Sequence, residues 1–376
     1  MLIHQIDLSN RKQIRQFLDL PFKIYRQVPQ WVPPLEVDAR LMLDPKRHPF
    51  YEHSQAAFFL ALDDAHHPVG RIAVINNRNY NAYNHEKTAF FYLFECQENV
   101  EISHALFQAA FDWARQQDLN KMLGPKGFTT LDGMGLLVRG FEHRPAFGQP
   151  YNLPYYANLI EGEGFSPSEE VVSGYLDAQT IHFPDKIHQM SALIQQRKGL
   201  HIAHFRKRRD IKRIIPRLKE LYNNVLTETT GNVPLTDDEV NAMANQLLWF
   251  SDPRLIKIIM KEADPVGFLF GYPDISAALQ RSKGKLFPFG WIDLLLELRR
   301  TKWMNINGAG IIPKYRGLGG TAILFSEMYK SVAESSYRFA DLVQIGLEND
   351  KMLRELRDLG IDFYKAHRMY ERDFLN

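Results

Sequence analysis

Apolar runs separated by short polar turns predict two similar β-hairpins, one in each half of the chain. In the first half, the apolar run Phe58–Leu62 is followed by a polar turn and by a second strand from Pro68 to Ile75. In the second half, Leu255–Ile259 is followed by a turn and by a strand that opens at Pro265. The pattern therefore predicts that the chain contains a repeated unit.

The spacing of matched positions supports a duplication. A separation of 197 positions relates Pro68 to Pro265, and the same separation relates Asn152 to Asn349, each of which precedes a helical stretch. A chain of 376 residues also exceeds the usual length of one domain. We therefore expect two domains, at residues 1–180 and 181–376.

The second half can be interpreted as a complete series of elements. Thr236 and Glu239 have the spacing of a capping box, which predicts the start of a helix. The full expected order is the strand Leu200–Arg206, the helix Ile211–Thr227, the capped helix to Trp249, the hairpin, an insertion at Ile275–Arg300, the strand Lys302–Ile312, an amphipathic helix, the strand Ala340–Leu347, the helix Asp350–Asp358, and a pair of strands near Phe363–Phe374.

A basic, glycine-rich turn lies between the strand Lys302–Ile312 and the amphipathic helix, in which Leu324, Met328 and Val332 recur at four-residue spacing. Glycines at the start of a helix let the backbone approach a ligand and direct unpaired N–H groups at it. The positive end of the helix dipole favours a phosphate or pyrophosphate there. The turn therefore predicts an anion-binding site.

The turn has neither the G-x-G-x-x-G nor the G-x-x-x-x-G-K-[ST] spacing of nucleotide-binding loops. The six residues from Lys314 to Gly319 instead resemble the acetyl-CoA signature [QR]-x-x-G-x-[GA] of the GCN5-related N-acetyltransferase superfamily, with lysine at the first position. The element order from Leu200 to Asn376 is similar to that family's fold. The resemblance implies an α/β fold class with two acyl-CoA N-acyltransferase domains in tandem, each a mixed, mostly antiparallel sheet flanked by helices.

The resemblance also implies which residues bind the acyl-CoA. The pantetheine would lie along the last residues of the strand, and backbone N–H groups of the turn would hold the pyrophosphate. Asn349, before the last helix, would lie near the cofactor or act as a plain N-cap. The residues expected to contact the pantetheine are Ala309, Gly310 and Ile311, and those expected to contact the pyrophosphate are Arg316, Gly317, Leu318, Gly319, Gly320 and Thr321.

The corresponding junction of the first half, Gln97–Glu101, contains no glycine and carries two glutamates. Like charges there would repel a pyrophosphate. We therefore expect the first domain to be degenerate, and to frame the acceptor site or to stabilise the second domain.

The general acid and base are less evident. Many members of the family use a tyrosine on the last helix, but Asp350–Gly360 contains none, and the strand Lys302–Ile312 offers no carboxylate. Glu348 is the nearest acidic residue by position and the weak candidate for a catalytic role. Tyr364 and Tyr370 are expected to be core or edge residues.

Composition excludes several classes of protein. A net charge of +2 does not indicate a general nucleic-acid binder, and the run Arg206–Arg209 lacks interleaved aromatic residues, so a solvated helix start is expected there. The lone Cys96 excludes an intramolecular disulfide and fits a cytoplasmic location. His48 and His53 are expected to lie in a structural loop, and no metal is expected.

No apolar run reaches membrane-spanning length, so no membrane partner is expected, and the apolar cluster at Trp291–Leu296 is interpreted as a buried helix or an interfacial segment. The long connection Gly124–Tyr156 is expected to contribute to acceptor recognition or to pack as an extended arm.

These observations favour an N-acetyltransferase that moves an acetyl group from acetyl-CoA, or another acyl group from its CoA ester, to an amine of a small molecule or peptide. Two alternatives remain. One is a non-catalytic acyl-CoA-binding or scaffold protein. The other is an aminoacyl transferase resembling the peptidoglycan-bridge enzymes, which would need a charged tRNA and a basic groove near Arg206–Arg213. The sequence does not specify the acceptor, the acyl chain length or the oligomeric state.

Overall fold

The computed structural model describes residues 1–129, 132–181, 183–226 and 233–374. Regular elements follow nearly the same order in the two halves, which confirms the predicted repeat; the exceptions are an extra strand, Leu136–Arg139, in the first half and an extra helix, Gly290–Arg300, in the second. The elements of the first half are β1 (Leu2–Gln5), α1 (Arg11–Ile24), α2 (Glu36–Met42), β2 (Gln55–Leu62), β3 (Pro68–Asn76), α3 (Arg78–Asn84), β4 (Thr88–Cys96), α4 (Val100–Gln116), β5 (Lys121–Gly124), β6 (Leu136–Arg139), α5 (Tyr156–Gly162) and β7 (Ser166–Asp177).

The second half repeats this order after a connecting helix. Its elements are α6 (Asp185–Lys198), β8 (Leu200–Ile202), α7 (Arg208–Leu226), α8 (Asp237–Phe250), β9 (Ile256–Lys261), β10 (Asp264–Pro273), α9 (Ser276–Ser282), α10 (Gly290–Arg300), β11 (Trp303–Ile311), α11 (Gly320–Ala333), β12 (Phe339–Gly346), α12 (Asp350–Asp358) and β13 (Asp362–Asp373). The expected last residue of the helix now called α7, Thr227, lies outside the described residues.

The chain divides into two compact units, and each unit is built from more than one segment of the sequence. The first unit comprises Met1–Val172, Ser276–Leu294 and Lys365–Asn376, and the second comprises Ser173–Ile275 and Leu295–Tyr364. The insertion expected at Ile275–Arg300 thus belongs mostly to the first unit. The domain bounds 1–180 and 181–376 stay a prediction.

The sheet of the first unit has the strand order β1-β2-β3-β4-β5-β13, and β6 also pairs with β13. The prediction of a pair of strands near Phe363–Phe374 is wrong, because this stretch forms one continuous strand, β13. Its residues Ala366–Arg368 pair with β6, and Tyr370–Asp373 pair with β5, so successive stretches of one strand have different neighbours. Phenylalanines of β4 and α4 dominate the core of this unit.

The sheet of the second unit has the order β7-β12-β11-β10-β9-β8. One face packs on α11, where Met304 and Leu342 join the core with Leu324 and Met328. The opposite face packs on α7, where Leu221 joins a second cluster with residues of β9 and β10. Since side chains alternate along a strand, residues next to Met304 and Leu342 project toward the α7 side.

The equal spacing of Asn152 and Asn349 does not reflect equal roles. Asn349 is the N-cap of α12, and its side chain accepts a hydrogen bond from the N–H of Met352. Asn152 is buried and binds the backbone of Leu137 through both ends of its amide. The repeat therefore rests on the order of elements, and this one pair of asparagines matches by coincidence.

Candidate functional site

Two parallel strands diverge in the centre of the second unit. β11 and β12 are paired from Trp303–Phe339 to Ile306–Leu342. β11 continues to Ile311, still paired with β10 on its other side, and β12 continues to Gly346. The backbone of β11 beyond Ile306 thus borders an opening, which we call the wedge, defined by residues 307–311 of β11 and 343–346 of β12.

A β-bulge bends β11 at the start of the wedge. Leu269 of β10 is opposite Ala309, but Gly271, two residues further along β10, is opposite Ile306, three residues away on β11. One extra residue is therefore accommodated in β11, and Gly308 has a φ of 87°, in the left-handed region that glycine adopts without a Cβ penalty. The bulge turns the end of β11 away from its former neighbour.

The glycine-rich turn follows β11 directly and opens α11. Gly319 is the N-cap of α11 with a φ of 85°, and no side chain of the described residues caps the helix. A Cβ at Gly319 would overlap Cδ1 of Ile194 on α6, so the position requires glycine for its conformation and for its space. The N–H groups of the first helical turn are thus left for an anion, at the positive end of the helix dipole.

The side chain of Arg316 stabilises this turn. Its Nε donates to the carbonyl oxygen of Ile311 at 3.0 Å, and its Nη2 donates to the carbonyl oxygen of Val225 in α7 at 3.3 Å. The guanidinium therefore ties the end of β11 to the end of α7. The backbone N–H of Arg316 donates to the carbonyl oxygen of Pro313 at 3.1 Å, so the contact of Arg316 with a pyrophosphate stays a prediction.

The structure brings most of the predicted cofactor residues to one place. Ala309, Gly310 and Ile311 form the end of β11, and the residues from Arg316 to Thr321 form the turn and the first residues of α11. A Cβ at Gly310 would overlap Cγ1 of Val225, which explains the small residue there. Their roles in binding stay predictions.

Two other candidates lie in the loop between β12 and α12. Asn349 is exposed and caps α12. Glu348 is also exposed, and its carboxylate lies against Gly346. Neither a cofactor contact of Asn349 nor a catalytic role of Glu348 follows from this placement, and both stay predictions.

A buried polar cluster that the sequence did not predict lies at the closed end of the wedge. Tyr272, Asn305 and Asp341 are cross-strand partners on β10, β11 and β12, and all three are buried. Asn305 Nδ2 donates to Asp274 Oδ2 at 3.1 Å, and the hydroxyl of Tyr364 donates to Asp341 Oδ2 at 2.8 Å. We call these residues the polar cluster.

The polar cluster holds its tyrosines in the protonated form. Burial, together with the Asp341 carboxylate, raises the pKa of Tyr364 far above its usual value. Burial also raises the pKa of Tyr272, although the amide of Asn307 opposes this effect. Both hydroxyls therefore remain hydrogen-bond donors over the whole physiological pH range.

The first unit contains a corresponding wedge. β4 and β5 are paired only from Thr88–Lys121 to Phe90–Leu123, while β4 runs on to Cys96. β4 also has a bulge, at which Leu93 has a φ of 50°. The strands of the first unit thus repeat the divergence and the irregularity seen in β11.

Side chains of the first unit occupy this second wedge. The hydroxyl of Tyr155 donates to the carbonyl oxygen of Cys96 at 2.7 Å, and the N–H of Cys96 donates to the hydroxyl of Tyr156 at 3.2 Å. Tyr156 and Tyr25 both donate to Oε2 of Glu95 at 2.7 Å. Backbone groups that border an opening in β11 are therefore satisfied internally in β4.

The start of α4 also differs from that of α11. The side chain of Asn99 caps α4 by accepting hydrogen bonds from the N–H groups of Glu101 and Ile102. Glu101 itself places a carboxylate in the first turn. An anion at this helix start would compete with the asparagine and be repelled by the glutamate.

Three further sequence features have structural roles within their own units. Asp210 accepts hydrogen bonds from the N–H groups of Arg206 and Lys207, which begins α7 as the expected exposed helix start. His48 Nδ1 accepts a hydrogen bond from the N–H of Phe50 at 3.2 Å, in the structural loop expected there. On α10, Trp291, Ile292, Leu295 and Leu296 are exposed and Leu294 is buried, so the alternative of a buried helix is wrong except for Leu294.

Within the described ranges, no helix combines the length and the apolar character that crossing a membrane requires. No group of three or more histidine, cysteine, aspartate or glutamate residues in those same ranges has an arrangement that could hold a metal ion.

Two curated proteins are similar to nearly the whole chain. The chain is 27% identical to "Protein YghO" of Escherichia coli (strain K12) over 370 residues, covering 96% of the chain and 93% of that protein. It is 25% identical to "Bacterial ceramide synthase" of Caulobacter vibrioides (strain NA1000 / CB15N) over 377 residues, covering 98% of the chain and 96% of that protein. No family model matches the sequence.

Solved structures show the same fold at low sequence identity. A tandem GNAT protein from the clavulanic acid biosynthesis pathway matches with a TM-score of 0.57 at 12% identity, covering 100% of this chain and 99% of that one. A GCN5-related N-acetyltransferase from Sphaerobacter thermophilus matches with a TM-score of 0.52 at 11% identity, covering 100% and 96%. The predicted fold class is thus confirmed over the full length.

Proposed function

From the fold of the tandem GCN5-related N-acetyltransferases, which this chain has, we propose that it is an acyl-CoA-dependent N-acyltransferase whose acyl-CoA site lies in the second unit. The observation that carries the proposal is the wedge between β11 and β12, followed directly by an uncapped, glycine-lined helix start. The wedge offers β11 backbone to a pantetheine, and the helix start offers N–H groups to a pyrophosphate.

The proposed reaction needs no covalent enzyme intermediate. The lone pair of a neutral amine attacks the thioester carbonyl carbon, the new C–N bond forms, and the C–S bond breaks. The nitrogen loses one proton and the departing sulfur gains one, so the products are an amide and free CoA. Holding the amine and the thioester in register supplies a large part of the rate.

One curated relative supports nitrogen as the acceptor atom. A ceramide is an amide, so a ceramide synthase similar to 98% of this chain supports amide formation here. Acetyl-CoA is the simplest donor, and CoA esters of longer acyl chains are the alternative donors. Such a donor and the single cysteine, Cys96, favour a reducing, cytoplasmic compartment.

Thermal stability in the presence of CoA esters tests the proposal. A ligand at about 100 times its Kd adds roughly 2.7 kcal/mol to the free energy of unfolding. We expect stabilisation by acetyl-CoA or decanoyl-CoA, and release of free CoA thiol when an amine is added. The absence of any shift with both esters would remove the proposal.

A matched pair of variants at Thr321 tests the location of the site. Thr321 is the second residue of α11, a position where a carboxylate favours the helix dipole. Thr321→Glu should therefore leave the free protein as stable as before while repelling the pyrophosphate. The glutamine side chain has nearly the same size as that of glutamate but no charge, so Thr321→Gln should bind acyl-CoA as the parent does. Equal binding by both variants would place the site elsewhere.

A further inference from the structure

An apolar cavity lies in the second unit between α7, α8 and the strands β9 and β10. It encloses about 70 Å³, and it is partly open to solvent. Its walls are formed chiefly by aliphatic and aromatic side chains, among them Ile215, Leu218, Met243, Leu248, Phe268 and Phe270. A hydrocarbon segment would be removed from water there, which is favourable in proportion to the apolar area buried.

The polar cluster adjoins this cavity through Tyr272. The residue lines the cavity, and its hydroxyl lies 3.5 Å from Nδ2 of Asn307. Its cross-strand partner on β11 is Asn305, whose side chain donates to Asp274. A ligand with an apolar chain and a polar end would thus meet both environments side by side.

Asn305 provides an independent indication of a ligand. The residue is 1% exposed, and its Oδ1 atom is buried without a hydrogen-bond partner among the described residues. An amide oxygen left in this state is costly, because it has lost its bonds to water and gained none in return. An N–H donor of a bound molecule would satisfy it.

We propose that the polar cluster and the apolar cavity together bind the acceptor, an amine that carries a hydrocarbon chain. This inference rests on the proposed N-acyltransferase function and names its substrate class. The ammonium group is bound by the carboxylates of Asp274 and Asp341 and donates to Oδ1 of Asn305. The first methylene groups of its chain enter the cavity between α7 and α8.

The position of the polar cluster suits this role. Asn305 and Asp341 form the cross-strand pair immediately before Ile306 and Leu342, the last pair ahead of the wedge. The amine is thus held at the closed end of the opening in which the thioester of the donor would lie. After a carboxylate of the polar cluster takes one proton from the ammonium group, the neutral nitrogen is directed along β11 toward that thioester.

The size of the cavity limits how much of the chain is buried. About 10–15 Å³ of a volume measured with water-sized spheres holds one group of that size, so the cavity has room for roughly five to seven methylene groups. Each buried methylene contributes about 0.8 kcal/mol, which is about a fourfold gain in affinity. Further methylenes extend through the open side and add less.

Calorimetric titration of the whole protein with simple amines, without any CoA ester, tests this site. We expect n-hexylamine to bind at least tenfold more tightly than n-propylamine, and n-decylamine to add less for each further methylene. 1-Decanol, which has the chain without the charge, should bind more weakly than n-decylamine. Equal affinities of propylamine and hexylamine, or of decanol and decylamine, would overturn the proposal.

Two variants separate the head-group and chain contributions. Asp341→Asn should weaken decylamine at least tenfold and leave decanol unchanged, and Asp362→Asn, an exposed control on β13, should change neither. Ala244→Phe fills the cavity and should abolish the advantage of hexylamine over propylamine. The chain-length series in the parent protein decides the question even if a variant does not fold.

The outcomes also distinguish this site from the proposed donor site. Thr321→Glu should lose acyl-CoA binding and keep amine binding. Amine binding without any acyl-CoA binding would refute the donor site alone. If Ala244→Phe weakens decanoyl-CoA and not the amines, the cavity belongs to the donor chain, and the acceptor proposal is overturned.

A different feature of the first unit carries a second inference. Phe287 is 79% exposed, Phe289 is 73% exposed, and Trp291 is 44% exposed, all within the loop and first turn that join α9 to α10. Three large aromatic side chains exposed within five positions of the sequence are typical of an interaction site. Lys283 and Lys285, both exposed, precede them.

We propose that residues 283–292, the aromatic loop, dock on an anionic lipid surface. Phenylalanine and tryptophan partition into the interfacial region of a bilayer, and lysines beside them are attracted to anionic head groups. An anionic bilayer therefore matches both the positive charge of the lysines and the apolar side chains of the loop. This revises the expectation that the protein has no membrane partner.

Sedimentation with lipid vesicles tests the aromatic loop. We expect the parent protein to pellet with vesicles of phosphatidylcholine containing phosphatidylglycerol, and less with phosphatidylcholine alone. Phe287→Ser/Phe289→Ser should reduce the bound fraction at least fivefold, whereas Val100→Ser, at another exposed apolar position (67% exposed), should not. Failure to pellet would overturn the proposal. So would a change of oligomeric state in the double variant, seen by light scattering, since the loop would then contact a second copy.

Discussion

The hydroxyl of Tyr364 on β13 donates a hydrogen bond to a carboxylate oxygen of Asp341 on β12, at the closed end of the wedge. The two residues are 23 positions apart and lie on either side of α12. Since burial and this carboxylate raise the pKa of the tyrosine, the pair stays hydrogen-bonded across the neutral and mildly alkaline range.

Tyr364→Phe is expected to lower the free energy of unfolding by about 1–2 kcal/mol, because Asp341 loses a hydrogen bond in a buried site. The pKa of the tyrosine is higher in the folded protein than in the unfolded chain, so its contribution is complete below about pH 10 and is lost above it. Urea denaturation of parent and variant should therefore show a difference that shrinks as the pH rises beyond 10. A constant difference would mean that the pKa of Tyr364 is not raised in the folded protein.

The ion pair of Glu95 and Arg71 in the first unit gives a second prediction. Their nearest atoms are 3.8 Å apart, and their side chains are 12% and 6% exposed. Glu95→Ala should cost about 3–5 kcal/mol, because it leaves the arginine buried without its carboxylate. The exposed pair Lys87 and Asp118 is the control, and Asp118→Ala should cost less than about 1 kcal/mol. Similar losses for both, measured by urea denaturation, would contradict this account.

The features that the sequence predicted are those that neighbouring residues encode. The bulge and the helix start of the second unit depend on Gly308 and Gly319, whose positions in the glycine-rich run predict a backbone that approaches a ligand. The acidic, glycine-free start of α4 was predicted in the same way, because capping and dipole effects act within one turn of helix.

The features that the sequence did not predict combine distant residues. Asn305 and Tyr364 come from different strands and Asp274 directly follows a third, and only the sheet order places them together. An acid within the apolar strand Phe339–Gly346 was the one local signal for Asp341. The pairing of β13 with β5 and β6 was also out of reach, because the partner of a strand depends on the whole topology.

Cys96 should be unreactive in the folded protein. Burial raises the pKa of its thiol to about 12, an effect that nearby carboxylates reinforce. Since the thiolate is the reactive species, Ellman's reagent at pH 8 should titrate less than a tenth of a thiol per chain before denaturant is added, and one thiol afterwards. Rapid reaction of the native protein would show that β4 opens locally.

The acid limb of stability should depend on His367 in the first unit. Burial, reinforced by the charge of Lys365, lowers the pKa of this histidine to about 4, although its ring hydrogen bond to the carbonyl oxygen of Pro150 opposes the shift. The unfolded chain therefore binds a proton more readily, and stability present above pH 6.5 is lost as the pH falls toward 4. The expected loss is about 3 kcal/mol.

Unfolding curves between pH 4 and pH 8 test this expectation. His367→Gln keeps an N–H donor and removes the titration, so its stability should vary less over this range. His201→Gln, at an exposed position on β8, serves as the control. If the two variants have the same acid dependence as the parent, other groups determine the acid limb.

Finally, the chain should bind one acyl-CoA and not two. Tyr155 and Tyr156 occupy the backbone groups of Cys96 in the wedge of the first unit, and Asn99 caps the helix that follows. Native mass spectrometry with acetyl-CoA should therefore show a single bound ligand at saturation, and none in Thr321→Glu. Tyr156→Phe should not create a second site, because Tyr155 and the cap remain. Binding of a second acyl-CoA molecule by the parent protein would show that the ligand displaces the side chains in the wedge of the first unit.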